Sequence, residues 1–180
     1  MQKRLTVFLS LLLAVACWLG NTLPVMARAQ NVPFPETPKG GLFGLKVFTG
    51  KQPTNLGVHD GKLAPCPDTP NCVSSQSQDE THRIDPLTFN TSPDQAFADL
   101  KALIQGMDRT RIVSEAKDYL YAEFTSKILG FVDDVEFYLD RDKNVIHTRS
   151  ASRLGEGDLG VNRKRIEAIR AKLQELENNA

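Results

Sequence analysis

The sequence predicts an α+β fold: a four-stranded antiparallel sheet with two helices packed on one face, preceded by a Pro/Gly-rich extended arm. Three observations predict it. Amphipathic helical spacing occurs at 92–106 and again at 159–176, and four β-prone runs lie between them. The links between those runs are only a few residues long, which suits antiparallel neighbours, since a parallel return needs a crossover of about a dozen residues.

The N-terminus reads as an export signal, residues 1–29. Lys3 and Arg4 form a basic start, and Leu5 to Leu19 is an apolar run interrupted only by Thr6 and Ser10. That run falls short of the roughly 20 residues a bilayer span prefers, and Ala27-Arg28-Ala29 after Pro24 offers a small-residue cleavage pattern, so the mature chain is expected to begin at Gln30. Retention of the run as an anchor and lipidation at Cys17 stay open as alternatives.

Residues 30–90 hold eight of the ten prolines, many glycines and no sustained period of 2 or 3.6. Proline fixes φ and deletes a donor, so this segment is expected to lie over the domain as an arm that cannot fold alone. The core, 91–177, opens with Ser92 as N-cap, Pro93 at the first helical position and Gln95 at capping-box spacing. Phe97, Leu100 and Ile104 give the apolar face, and Gly106 ends the helix. Strands are expected at about 109–115, 118–126, 131–139 and 143–150, and Ile166, Ile169, Leu173 and Leu176 form the stripe of the last helix.

With 180 residues, 41% of them hydrophobic and 24% charged, the composition fits one globular core. Removing 1–29 takes away Lys3, Arg4 and Arg28 and no acid, leaving 19 basic against 22 acidic groups, a formal charge of −3. Such a chain has no global field for nucleic acid. Cleavage also removes Cys17 and leaves Cys66 and Cys72, an even pair in an oxidising setting, for which a disulfide is the default. A redox pair or a metal site would need closer cysteines or further ligands, and His59, His82, Asp79 and Glu80 stand at no recognised spacing. No metal or cofactor is expected.

Three motifs occur in order: Cys66-Pro67-Asp68-Thr69-Pro70-Asn71-Cys72-Val73-Ser74-Ser75, then Phe131 to Phe137, then Arg149-Ser150-Ala151-Ser152-Arg153 continuing through Gly155, Asp158, Asn162, Arg163 and Arg165. Across about 55–175 the chain resembles an uncharacterised bacterial and plastid family, domain of unknown function 1499. The resemblance implies periplasm or thylakoid lumen and brings no reaction with it.

Candidate site residues come from local violations of pattern. With period 2, Asp133 falls on the apolar face with Val135, Phe137 and Leu139, where a carboxylate needs a cation or several donors, while Asp134 and Glu136 share the other face, as a pair or a solvated surface. Arg149 and Arg153 leave the last strand. Arg163, Lys164 and Arg165 crowd a helix N-terminus against its dipole, so a compensating anion is expected, with Asp158 as one candidate. Asn162 interrupts the apolar stripe and needs partners. Arg149, Arg153, Asp158, Asn162 and Arg165 are therefore expected in one neighbourhood, as the surface of a non-enzymatic binding or assembly module for a partner protein or small anionic ligand. The alternative is a hydrolase or lyase using Asp133, Asp134 or Glu136 as acid/base, with Arg149 and Arg153 holding an anionic group. Ser150 and Ser152 lack an evident adjacent histidine.

Overall fold

The first helix, α1 (Pro93–Gln105), forms where its signals place it. Ser92 is extended, its hydroxyl accepts the Gln95 N–H at 3.2 Å, and Gly106 closes the last turn onto Ala102 and Leu103 carbonyls. The structure, a computed structural model, describes residues 48–179. The expected export signal and the first part of the arm lie outside those residues.

Below, β1 is Cys72–Ser74, β2 Leu87–Thr88, β3 Thr110–Ala116, β4 Tyr119–Thr125, β5 Val132–Asp140, β6 Val145–Ser152 and α2 Val161–Asn178. The chain is α+β with an antiparallel sheet, and β3 to β6 form the expected meander. One correction concerns strand number. The sheet has six strands, not four, because β1 and β2 from the arm both pair antiparallel with the outer edge of β6. Strands of three and two residues are too short to display alternation, and the surrounding prolines mask them further. A second correction concerns α2, which starts two residues later than predicted. Leu159 and Gly160 both take left-handed φ, 54° and 77°, and cannot belong to the helix.

Alternation then sorts the sheet into two unlike faces. Leu120, Ala122 and Phe124 of β4, Val135, Phe137 and Leu139 of β5 and Ile146 of β6 cluster with Phe97, Leu100 and Ile104 of α1 and Ile166, Ile169 and Leu173 of α2. Each of these side chains larger than alanine contributes about 1.5–3 kcal/mol by leaving water, so this apolar layer is the main source of stability. Residues at the intervening positions, among them Tyr119, Tyr121, Glu123, Asp134, Glu136, His147 and Arg149, point to the other side.

The arm covers that second face. Gly57, at φ 115°, donates its N–H to Glu136 Oε1 at 2.8 Å over β5, and Gln76, just beyond β1, holds the Leu63 N–H and the Gly61 carbonyl. Between these anchors His59 and Lys62 exchange backbone bonds around Asp60-Gly61, both at positive φ, the geometry of a tight hairpin turn.

Cys66 and Cys72 are disulfide-bonded with Cα atoms 5.6 Å apart. His82 braces this loop: Nδ1 faces Asp79 Oδ1 at 2.8 Å and Nε2 the Thr69 carbonyl at 3.1 Å. Two acceptors suit an imidazolium that donates from both nitrogens. Burial opposes that charge, but the Asp79 carboxylate and the Thr69 carbonyl, with Asp68 nearby, raise the His82 pKa above its ordinary value. A raised folded pKa contributes stability that is fully present below about pH 6.5 and is lost as pH rises through the folded value. His147, lowered by burial, acts in the opposite sense. The melting-temperature difference between the protein and His82→Gln is therefore expected to shrink from pH 5.5 to 8.5. A difference independent of pH would mean that the brace is neutral.

Candidate functional site

Two charged networks lie on opposite faces of one end of the sheet. On the helix face, the Asp133 carboxylate on the apolar side of β5 meets Arg165, whose Nη2 donates to Oδ2 at 2.5 Å. The same guanidinium bonds Ser150 Oγ and Asn162 Oδ1 and lies over the Phe124 ring at 4.9 Å. Asn162 is 0% exposed. Its Nδ2 reaches the Asn71 carbonyl, Ser152 Oγ and Asp158 Oδ2, and its Oδ1 also accepts from Ser150, which satisfies the amide that interrupts the apolar stripe. Asp158 caps the start of α2 from three residues before Val161, accepting the Gly160 and Asn162 N–H groups. Burial works against its charge, yet those N–H donors hold its carboxyl below the ordinary range.

On the arm face, Arg153 grips Asp134 side-on, Nε at 2.9 Å from Oδ2 and Nη2 at 2.6 Å from Oδ1. Nη2 also donates to the Tyr121 hydroxyl and to Glu123. Tyr121 donates to Asp134 Oδ1 at 2.6 Å, and Arg111 reaches Glu123 from outside at 2.7 Å. Burial tends to raise the Glu123 pKa, but Arg153 and Arg111 together bring it below its usual value. Glu136, 0% exposed, accepts from Gly57 and from the Tyr119 hydroxyl at Oε1, and Arg149 approaches its Oε2 at 3.4 Å. Burial first, then the Glu136 carboxylate, raises the Tyr119 pKa, so this phenol is a fixed donor.

The five residues expected in one neighbourhood are thus divided. Asp158, Asn162 and Arg165 lie together on the helix face with Asp133. Arg149 and Arg153 lie under the arm with Glu136 and Asp134. Closeness along 149–165 misleads because alternate residues of β6 face opposite sides and Arg153 follows the odd-numbered set. The division also separates Asp133 from Asp134 and Glu136. Asp134 has both oxygens engaged by Arg153, and Glu136 Oε1 takes two donors.

Sequence reasoning missed Tyr119, Tyr121 and Glu123, although their alternation with Leu120, Ala122 and Phe124 could have found them. It also missed Ser75 as the partner of His147. The Ser75 hydroxyl lies 3.0 Å from His147 Nδ1, and His147 Nε2 lies 3.5 Å from Asp140 Oδ2, too poorly aligned for a hydrogen bond. Ser75 ties the chain just beyond β1 to β6. Ser75 Oγ accepts the Thr148 N–H at 2.9 Å, continuing the β1–β6 ladder, while the Gln76 and Ser77 amides are turned onto Ser74.

A different feature marks the same end of the sheet. Of the eight exposed large apolar side chains among the described residues, seven belong to three segments that meet there: Phe48 in the arm, Ile128, Leu129 and Phe131 in the β4–β5 turn, and Leu154, Leu159 and Val161 after β6. Phe48 and Phe131 are in ring contact at 5.7 Å, and the Gly50 backbone lies against Arg153 and Leu154. Ile128 is 84% and Leu159 94% exposed. Leu159 is bare while held at a φ that costs a non-glycine residue roughly 1 kcal/mol.

No curated protein and no solved structure matches the chain. A family model does, over residues 62–173, a span that contains β1 through most of α2 and the side chains of both networks. The chain belongs to that family, the protein of unknown function family DUF1499.

Proposed function

We propose that the protein is an exported binding or assembly module that docks a partner protein through the three apolar segments at the end of its sheet. The observation that carries this reading is the concentration of seven of eight exposed large apolar side chains on those segments. Isolated exposed leucines are ordinary, but so many on three segments, with Phe48 against Phe131 and Gly50 against Leu154, mark an interaction surface. Leu159 adds weight, because backbone strain that holds an apolar side chain in water benefits a contact and not the fold. The rim favours a protein over an anionic bilayer. Within and next to those segments the sequence places Lys127, Glu156 and Lys164, charges of both signs as at protein interfaces, whereas an anionic lipid surface calls for a basic set. Export is supported by the signal-like N-terminus and by the Cys66–Cys72 disulfide.

Photo-crosslinking in the native host tests the reading. A crosslinker placed at Ile128 or at Leu159 is expected to trap the same single protein, and one at Lys172 on the outside of α2 is not. The trapped chain should begin at Gln30. Leu159→Gly relieves the backbone, so it should keep or raise the melting temperature while losing the adduct. Equal adducts from every position, or none, would overturn the docking surface; a chain still carrying Met1 would overturn cleavage at residue 29.

A further inference from the structure

Arg149 and Arg153 sit on one face of the sheet with opposite degrees of satisfaction. In Arg153 the side-on edge of the guanidinium, Nε with the Nη2 beside it, is filled by Asp134. In Arg149 the only hydrogen bond among the described residues runs from Nη1 to Glu136 at 3.4 Å. Among the described residues its buried Nε has no partner and its Nη2 makes no hydrogen bond. The residue is only 6% exposed. A buried guanidinium normally uses most of its five donors, so an empty fork is the largest unmet demand in the arm-face layer.

Glu136 does not meet that demand. Its Oε1 is taken by Gly57 and Tyr119, and its Oε2 stands on the Nη1 side of Arg149. Across the sheet, Arg149 is flanked by Glu136 on β5 and Ser74 on β1. The arm is anchored over Glu136 at Gly57 and at Gln76 just beyond Ser74, on either side of the strand that carries Arg149, and its Gly61 lies against the Tyr138 hydroxyl. The rest of the layer is close to neutral: Glu123, Asp134 and Glu136 face Arg111, Arg149 and Arg153.

We propose that the unpartnered Nε/Nη2 edge of Arg149, on the face that the arm covers, binds a small oxyanion, the carboxylate or phosphate group of a ligand. Two parallel N–H donors spaced to match two oxygens of one group recognise that chemistry and prefer it to a single carbonyl or a chloride ion. The site lies on the arm face, apart from the docking tips of Leu159 and Val161, so it does not depend on the partner reading.

The experiment follows the Arg149 Nε–H resonance of the 15N-labelled protein while sodium phosphate or sodium acetate is added at constant ionic strength, with sodium chloride as reference. A saturable shift of that resonance with phosphate, acetate or both, and with no equal change at Arg153 Nε–H, is expected; the more effective anion identifies the ligand group. Arg149→Lys keeps the charge and removes the fork, and should bind at least roughly tenfold more weakly by thermal shift, the worth of one charge-assisted bond. An Arg149 resonance that neither anion moves, or one that moves equally with chloride, would overturn the proposal. Should Arg149→Lys fail to fold, the wild-type titration still decides.

Discussion

Arg153→Ala is expected to destabilise the domain by about 3–5 kcal/mol, the cost of removing one partner from a buried ion pair. Asp134 is 1% exposed, and Arg153 engages both of its oxygens as well as Tyr121 and Glu123. Truncation therefore leaves a carboxylate beneath the arm with a single tyrosine donor. Urea unfolding should report the loss, and the melting temperature should fall by more than about 10 °C. The double variant Arg153→Met with Asp134→Leu should recover much of it, because an apolar pair of similar volume removes the stranded charge. A change below about 1 kcal/mol for Arg153→Ala would show that the arm leaves this layer wet.

Asn162→Leu should have the next largest effect, about 2–4 kcal/mol, since it preserves volume and deletes a completely used amide. The leucine leaves Ser150, Ser152 and Arg165 without the oxygen or N–H they share with Asn162, and Asp158 keeps only backbone donors. Hydrogen exchange should quicken first at the start of α2 and the end of β6. If stability is unchanged, the network does not hold the fold, and binding becomes the better account of these residues.

Both variants test whether residues that break a sequence pattern do so for the fold. Asp133 and Asn162 were legible because each puts a polar group where period 2 or 3.6 demands an apolar one, and Arg165 meets both. Helix α1 was legible through Ser92, Pro93 and Gly106, and the meander through its short turns. The burial of Asp134 and Glu136 was not legible. Their face reads as polar, and what covers it is the arm, which reaches Glu136 from Gly57, 79 residues earlier, and Arg153 from Gly50, through backbone groups that carry no side-chain signature. Strands β1 and β2 were hidden because runs of three and two residues among prolines show no alternation. Arg149 and Arg153 were correctly marked as unusual, yet their assignment to the Asn162 neighbourhood failed because side-chain direction in a strand depends on parity and not on nearness in sequence.

The distance along the chain between the arm and its anchors sets an order of assembly. The meander joins consecutive segments through short turns, whereas Gly57 to Glu136 closes a separation of 79 residues and Asn162 to Asn71 one of 91. Closing such loops costs entropy that few contacts repay until a template exists. The sheet and helices can thus collapse first on their apolar side while Asp134, Glu136 and Arg149 remain hydrated, and the arm, though synthesised earliest, settles last. Dehydration of the ionic layer is then a late event on the folding path, placed after the rate-limiting barrier: changes under the arm should accelerate unfolding and leave the refolding rate nearly untouched.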